Sequence, residues 1–229
     1  MNTRADGARA WEPGGFDVKV RQVCRGCNNG WMSELENYSK SLVSDLATGS
    51  RNAELTHAEQ TKLAAWLYKT AIMLALAYPS ENRYVPREDY RFFFRHRKPP
   101  DGTTIFIAAI APETHDRART QIGWAAPERL DFHRSDGTLM DAHGYRISLS
   151  IFSLISQVLR DPNRGTFARP RRFADAWTCI LPLSEGRWPP GLFFDAAGLE
   201  DIAGGRILSG AEPPPETEDH GLPPVKGDT

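Results

Sequence analysis

Cys24 and Cys27, in the run VCRGCNNGW, are the residues of this chain whose type and spacing imply chemistry most directly. Two thiolates two residues apart can chelate one ion, because a tight turn brings both sulfurs to ~2.3 Å from a zinc. A structural zinc takes four ligands, so the pair fills half of such a site. The same pair at a helix N-terminus can also act as a redox dithiol, because the helix dipole lowers a thiol pKa. That reading requires a βαβ setting, whereas only a short polar arm precedes the strand that leads into the pair. The third cysteine, Cys179, lies in the apolar stretch AWTCILPL and reads as a small buried hydrophobe. Three cysteines in 229 residues argue against a disulfide scaffold.

Two basic clusters are the next candidates. RFFFRHRK supplies Arg91, Arg95, Arg97 and Lys98, and RGTFARPRR includes Arg171. Both can hold phosphates, although basic clusters are common on surfaces and the simpler reading of each is solvated loop charge. The formal net charge is −1, so contact with DNA or RNA would have to come from such a local patch. The segment DFHRSDGTLMDAH places His133 and His143 near Asp131, Asp136 and Asp141, a set able to bind a divalent ion. Its other reading is a polar hairpin turn around Asp136 and Gly137. Lys69 stands on an otherwise apolar segment, either as a phosphate contact or as a lysine that snorkels to the surface.

Periodicity predicts the elements that must position these groups. Residues 16–23 (FDVKVRQV) alternate and predict a short strand leading into the C-x-x-C turn. A helix capped by Asn28 or Asn29 follows, with Trp31, Leu35, Tyr38, Leu42 and Leu46 on one face and Gly49 at its end. Thr56 and Glu59 form a capping box for a second helix that carries Leu63, Trp66, Leu67, Leu74 and Ala77 up to Pro79. Residues 103–111, 119–127 and 176–183 predict strands. Residues 143–159 begin as a strand, and their later half fits strand or helix. Residues 194–205 predict a short closing helix. The proline-rich acidic tail, 211–229, is too poor in large apolar groups to offset its ordering entropy and is expected to be disordered. A helical front half and a β-rich, mainly antiparallel back half define an α+β fold.

Composition is that of a globular protein, with 40% hydrophobic and 25% charged residues. No apolar run approaches the ~18 residues of a membrane span, and residues 1–15 lack a signal-peptide apolar segment. A cytoplasmic location is the resulting expectation. No P-loop, dinucleotide fingerprint or serine-nucleophile motif is present.

The run VCRGCNNGWMSELE resembles the second half of the HNH-endonuclease-like ββα-metal finger. It is similar to a group of bacterial and phage proteins with C-x-x-C-N-x-G-W-M-x-x-L-E. AAWLYKTA (64–71), ILPL (180–183) and WPPG (188–191) extend the likeness over most of residues 16–208. The resemblance implies metal-dependent phosphodiester hydrolysis on DNA or RNA, with a structural zinc held by two C-x-x-C pairs and magnesium or manganese at a separate catalytic site. Carried over, Cys24 and Cys27 match the second zinc pair, and Asn28 matches the His/Asn ligand of the catalytic ion. It divides the chain into an arm (1–15), a partial finger (16–49), an α+β body (50–208) and a tail (209–229). Nothing before Phe16 supplies a first C-x-x-C or a general-base histidine followed by proline. Three arrangements accommodate this: the other half lies outside this chain, the finger is degenerate and kept for binding, or two chains share one four-cysteine zinc across a twofold axis. The resemblance thus implies weak or absent nuclease activity in this chain, with a non-catalytic nucleic-acid-binding or protein-interaction module as the alternative.

Overall fold

The structure, a computed structural model, describes residues 2–3, 9–11, 23–111, 123–133, 136–165, 167, 174–195 and 198. In chain order the elements are β1 (Asn2–Thr3), β2 (Arg9–Trp11), a single turn α1 (Arg25–Cys27), α2 (Ser33–Ala47), α3 (His57–Ala75), α4 (Arg87–His96), β3 (Thr103–Ala109), β4 (Gly123–Leu130), β5 (Gly144–Ile151), β6 (Leu154–Arg160) and β7 (Thr178–Leu181). The strands form one sheet in the order β1-β2-β4-β5-β6-β3-β7, antiparallel at every pairing. The α+β class is therefore observed. β1 and β2 lie within the segment that reads as an arm, and β2 pairs with the edge of β4.

The sheet is covered on both faces, which explains why β3, β5 and β6 bury both sets of alternating side chains. On one face Ile105, Ile107, Ile147, Leu149, Leu154 and Val158 join Leu63, Leu67 and Ile72 of α3 in a common core. On the other, Phe106, Ile155 and Leu159 pack with Trp177 and Phe194. Each such side chain contributes about 1.5–3 kcal/mol on burial. α3 is buried along most of its circumference, so it is the central helix of the layer. It starts as expected: Thr56 Oγ1 accepts from Glu59 N (3.3 Å), and the Glu59 carboxylate accepts from Thr56 N (2.9 Å).

Several expectations are corrected. The second half of 143–159 is strand β6, not helix. Ile151 pairs with Leu154, so Phe152 and Ser153 make a two-residue hairpin loop, with Phe152 at φ 51°. The Arg91–Lys98 cluster is not loop charge. Arg91 and Arg95 belong to α4, with Arg97 as its C-cap and Lys98 just beyond; the helix has Glu88 and Asp89 in its first turn and Arg95 and His96 in its last, the order that the helix dipole favours. Phe194 is extended rather than helical. It bridges β3, accepting from Ala111 N and donating to Ala109 O (both 2.9 Å). Asp195 then accepts from Gly198 N (2.8 Å), the contact of a helix cap. The strand expected at 16–22, the start of the strand expected at 119–127, the helix expected beyond Gly198 and the tail from 211 lie outside the described residues.

Candidate metal knuckle and nucleic-acid interface

Cys24 is in extended backbone (φ −67°, ψ 149°) and is itself the N-cap of the helical run, its sulfur accepting from Cys27 N at 3.2 Å. This corrects the expected cap at Asn28 or Asn29. Asn28 instead continues the turn, donating its N–H to Cys24 O (3.0 Å). The run then widens into a π-type turn over Asn28–Met32, broken at Gly30 (φ −95°, ψ −120°), a backbone region that a Cβ disfavours. Past this break, Met32 at the end of the turn and Ser39, Leu42, Leu46 and Ala47 of α2 are buried. Ser39 takes the inward position expected of Tyr38. Tyr38 is 69% exposed, with the Lys62 ammonium 3.5 Å from its ring centroid.

The Cys24 and Cys27 sulfurs lie 2.8 Å apart, hydrogen bonded to one another, at an exposed position. The bond between the two sulfurs holds the Cys24 thiol below its ordinary pKa, and the same bond pushes Cys27 up. The Arg97 charge and the Trp31 indole act on Cys27 in the opposite direction. The Trp31 Nε1 is nevertheless buried and finds no acceptor at hydrogen-bonding distance among the described residues. The indole is thus a neighbour of the sulfur and not its bonded donor.

Arg97 reaches the knuckle because of how α4 docks. Phe93, on the buried face of α4, packs edge-on against Trp31 (centroids 5.6 Å) and against Tyr68 of α3 (5.2 Å). Arg97 adopts the left-handed conformation (φ 57°) that closes the helix, and its N–H bonds to Phe93 O (2.9 Å). The guanidinium then lies 3.8 Å from the Trp31 ring centroid and 4.8 Å from that of Phe94. Arg91 and Arg95 of the same helix and Lys98 just past its end are exposed. The structure thus brings Cys27, Trp31 and Arg97 together, three residues that the sequence assigns to two unrelated segments. Arg171 and its neighbours lie outside the described residues.

The other residues of the motif have packing roles. Glu36 accepts from Trp66 Nε1 (2.7 Å) and forms an ion pair with Lys69, fastening α2 to α3. Lys69 does not snorkel: its side chain is 7% exposed, and burial pushes its amine down to about 8. Glu36 opposes that shift but is half exposed, so water screens its charge and burial dominates. Gln60 of α3 bonds Ser184 O (3.0 Å) and N (3.1 Å), tying the helix to the loop after ILPL. Cys179 is half-buried on β7, against the Trp177 cluster.

The segment around His133 forms the polar turn. Asp136 accepts from Thr138 N (2.8 Å), which holds its carboxyl below the usual range, and His133 bridges to Leu139 around Gly137 (φ 83°). Asp131 pairs with Arg129 at 2.7 Å. Among the described residues no group of three His, Cys, Asp or Glu side chains could hold a metal ion. Sequence reading missed a buried network: Tyr68 and Tyr145 hydroxyls (2.8 Å), Tyr145 to Asp89 (2.8 Å) and Arg160 to Asp89 (3.2 Å). An aspartate three residues into a helix at Pro86 and a tyrosine beginning a strand carry no signal that they meet.

The chain matches no protein-family model, no curated protein and no solved structure. No helix among the described residues is long and apolar enough to cross a membrane.

Proposed function

We propose that this protein binds nucleic acid through the basic end of α4 and an adjoining HNH-like metal knuckle, with phosphodiester hydrolysis as an ancestral activity that is weak or lost. The observation that carries this reading is the convergence of Cys27, Trp31 and Arg97 beside exposed Arg91, Arg95 and Lys98. An arginine stacked on an indole is fixed in direction and keeps its charge, which suits it to phosphate. The resemblance of residues 23–36 to a ββα-metal finger supports the same assignment.

The donor set suits half a zinc site. Two thiolates on a tetrahedral zinc stand about 3.8 Å apart, so the 2.8 Å pair opens by roughly 1 Å on binding. Cys24 and Cys27 of two copies would complete a set of four thiolates, making a homodimer with a shared structural zinc. Asn28 is exposed and would be the one carried-over ligand of a catalytic magnesium or manganese. A single neutral amide holds such an ion poorly, which is the reason for proposing binding over cleavage. Three free thiols, one exposed and two half-buried, fit a reducing compartment, so a cytoplasmic setting belongs to the same proposal.

Fluorescence anisotropy with labelled DNA across a salt series tests the binding, and plasmid nicking with magnesium or manganese tests the chemistry. Salt-dependent retention that weakens in Arg91→Gln/Arg95→Gln supports the proposal. Robust nicking abolished by Asn28→Ala would replace it with an active nuclease.

A further inference from the structure

Resting on that reading, we infer that the outer face of α4 is a stacking platform for single-stranded nucleic acid. Arg87, Arg91, Phe94 and Arg95 follow one another at helical spacings of four, three and one, so they share the face opposite buried Asp89 and Phe93. All four are exposed, and Phe94 is 50% exposed in the middle of the cationic stripe. None of the ion pairs among the described residues engages Arg87, Arg91, Arg95 or Lys98. Arg97, anchored on Trp31, comes to 4.8 Å from the Phe94 centroid and steadies that ring without enclosing it.

Charge alone attracts any phosphate backbone, duplex or single strand. An exposed aromatic ring among arginines adds an interaction that only an unstacked base can make, because paired bases hide their faces in the duplex. The face offers cationic donors and a ring, and thus reads phosphate and base but not sugar. The expected occupant is therefore a single strand regardless of sugar.

Anisotropy with oligo-dT, oligo-rU and a duplex of equal length, at matched salt, tests this on the full chain. The expected result is tighter binding of oligo-dT than of duplex. Phe94→Ala should weaken oligo-dT binding by about tenfold, the loss of one stacked base, while duplex binding changes less than twofold. Phe94→Trp should retain the affinity that Phe94→Ala loses, and a loss in both variants would deny that an aromatic ring is what the strand requires. Oligo-rU should bind within about threefold of oligo-dT, and a preference beyond that would overturn the sugar-blind platform. Equal binding of strand and duplex, with Phe94→Ala silent, overturns the inference and leaves the basic interface standing. No binding to any of the three overturns both. Phe94 is exposed, so the variants should fold, and unchanged circular dichroism checks this.

Discussion

The Arg97 guanidinium lies 3.8 Å from the centroid of the Trp31 ring, and this contact joins the end of α4 to the turn that follows the C-x-x-C pair. Its geometry depends on two local features. Gly30 breaks the helical run so that Trp31 turns toward α4 while the cysteines stay outside. The left-handed backbone of Arg97 ends α4 and swings the side chain back over the indole. Arg97 is exposed, so the pair contributes on the order of 0.5–1 kcal/mol.

Arg97→Gly separates folding from binding. Glycine adopts φ 57° without the cost of about 1–2 kcal/mol that a side chain carries there. Relief of that strain roughly offsets the lost stacking, so urea unfolding should place the variant within about 1 kcal/mol of the parent. Its affinity for DNA should fall, with the salt dependence losing close to one counterion (a slope change of about 0.7–0.9). An unchanged slope would remove Arg97 from the interface.

Metal content tests the knuckle. Elemental analysis and native mass should give one zinc per two chains in a dimer, and Cys24→Ser or Cys27→Ser should lose both the zinc and the dimer. A zinc-free monomer, or a zinc retained by both serine variants, would sink the shared site.

Glu36 and Lys69 should respond unequally to substitution. Glu36→Ala leaves the Lys69 ammonium and Trp66 Nε1 buried without their acceptor, at a cost of about 1–3 kcal/mol. Lys69→Met removes the buried charge itself and should be neutral or stabilising. Chemical denaturation of the two variants checks the order, and a larger loss in Lys69→Met would contradict it.

The same lysine gives a pH dependence with a definite sign. Its folded amine sits at about 8 against an ordinary 10.5. Between those values the unfolded chain binds the additional proton, so this group makes stability rise with pH from about 8 to 10.5. Denaturation midpoints across that range should rise more in the parent than in Lys69→Met. Parallel curves would show that Glu36 holds the amine at its usual value.

The buried network should be cooperative. Tyr145→Phe removes the hydroxyl that donates to Asp89 and meets Tyr68, and should cost about 1–3 kcal/mol. Asp89→Ala should cost more, because it also leaves Arg160 without its carboxylate. A double-mutant cycle on the two positions should show strong non-additivity, and simple additivity would deny the network.

The sequence by itself determined the pieces whose causes are local. The Thr56–Glu59 capping box, the strands around Ile105 and Ile147, the turn at Asp136–Gly137 and the adjacency of Cys24 and Cys27 each depend on residues a few positions apart. Propensity, capping and periodicity act at that range, so the α+β class was legible. α4 was not, because its apolar content is confined to a narrow face under a dense basic surface. Nor was the strand at Leu154–Arg160, since a fully buried strand and a buried helix present the same apolar run.

Only the tertiary structure decided what the chemistry-bearing residues meet. Lys69 reads as a surface lysine until α2 lays Glu36 beside it. Arg97 reads as loop charge until Phe93 docks α4 against Trp31 and carries the guanidinium to the C-x-x-C turn. These encounters join segments far apart in sequence. They follow from burying Phe93, Tyr68 and the sheet face in one core, and that non-directional drive leaves no spacing rule in the chain for a reader to find.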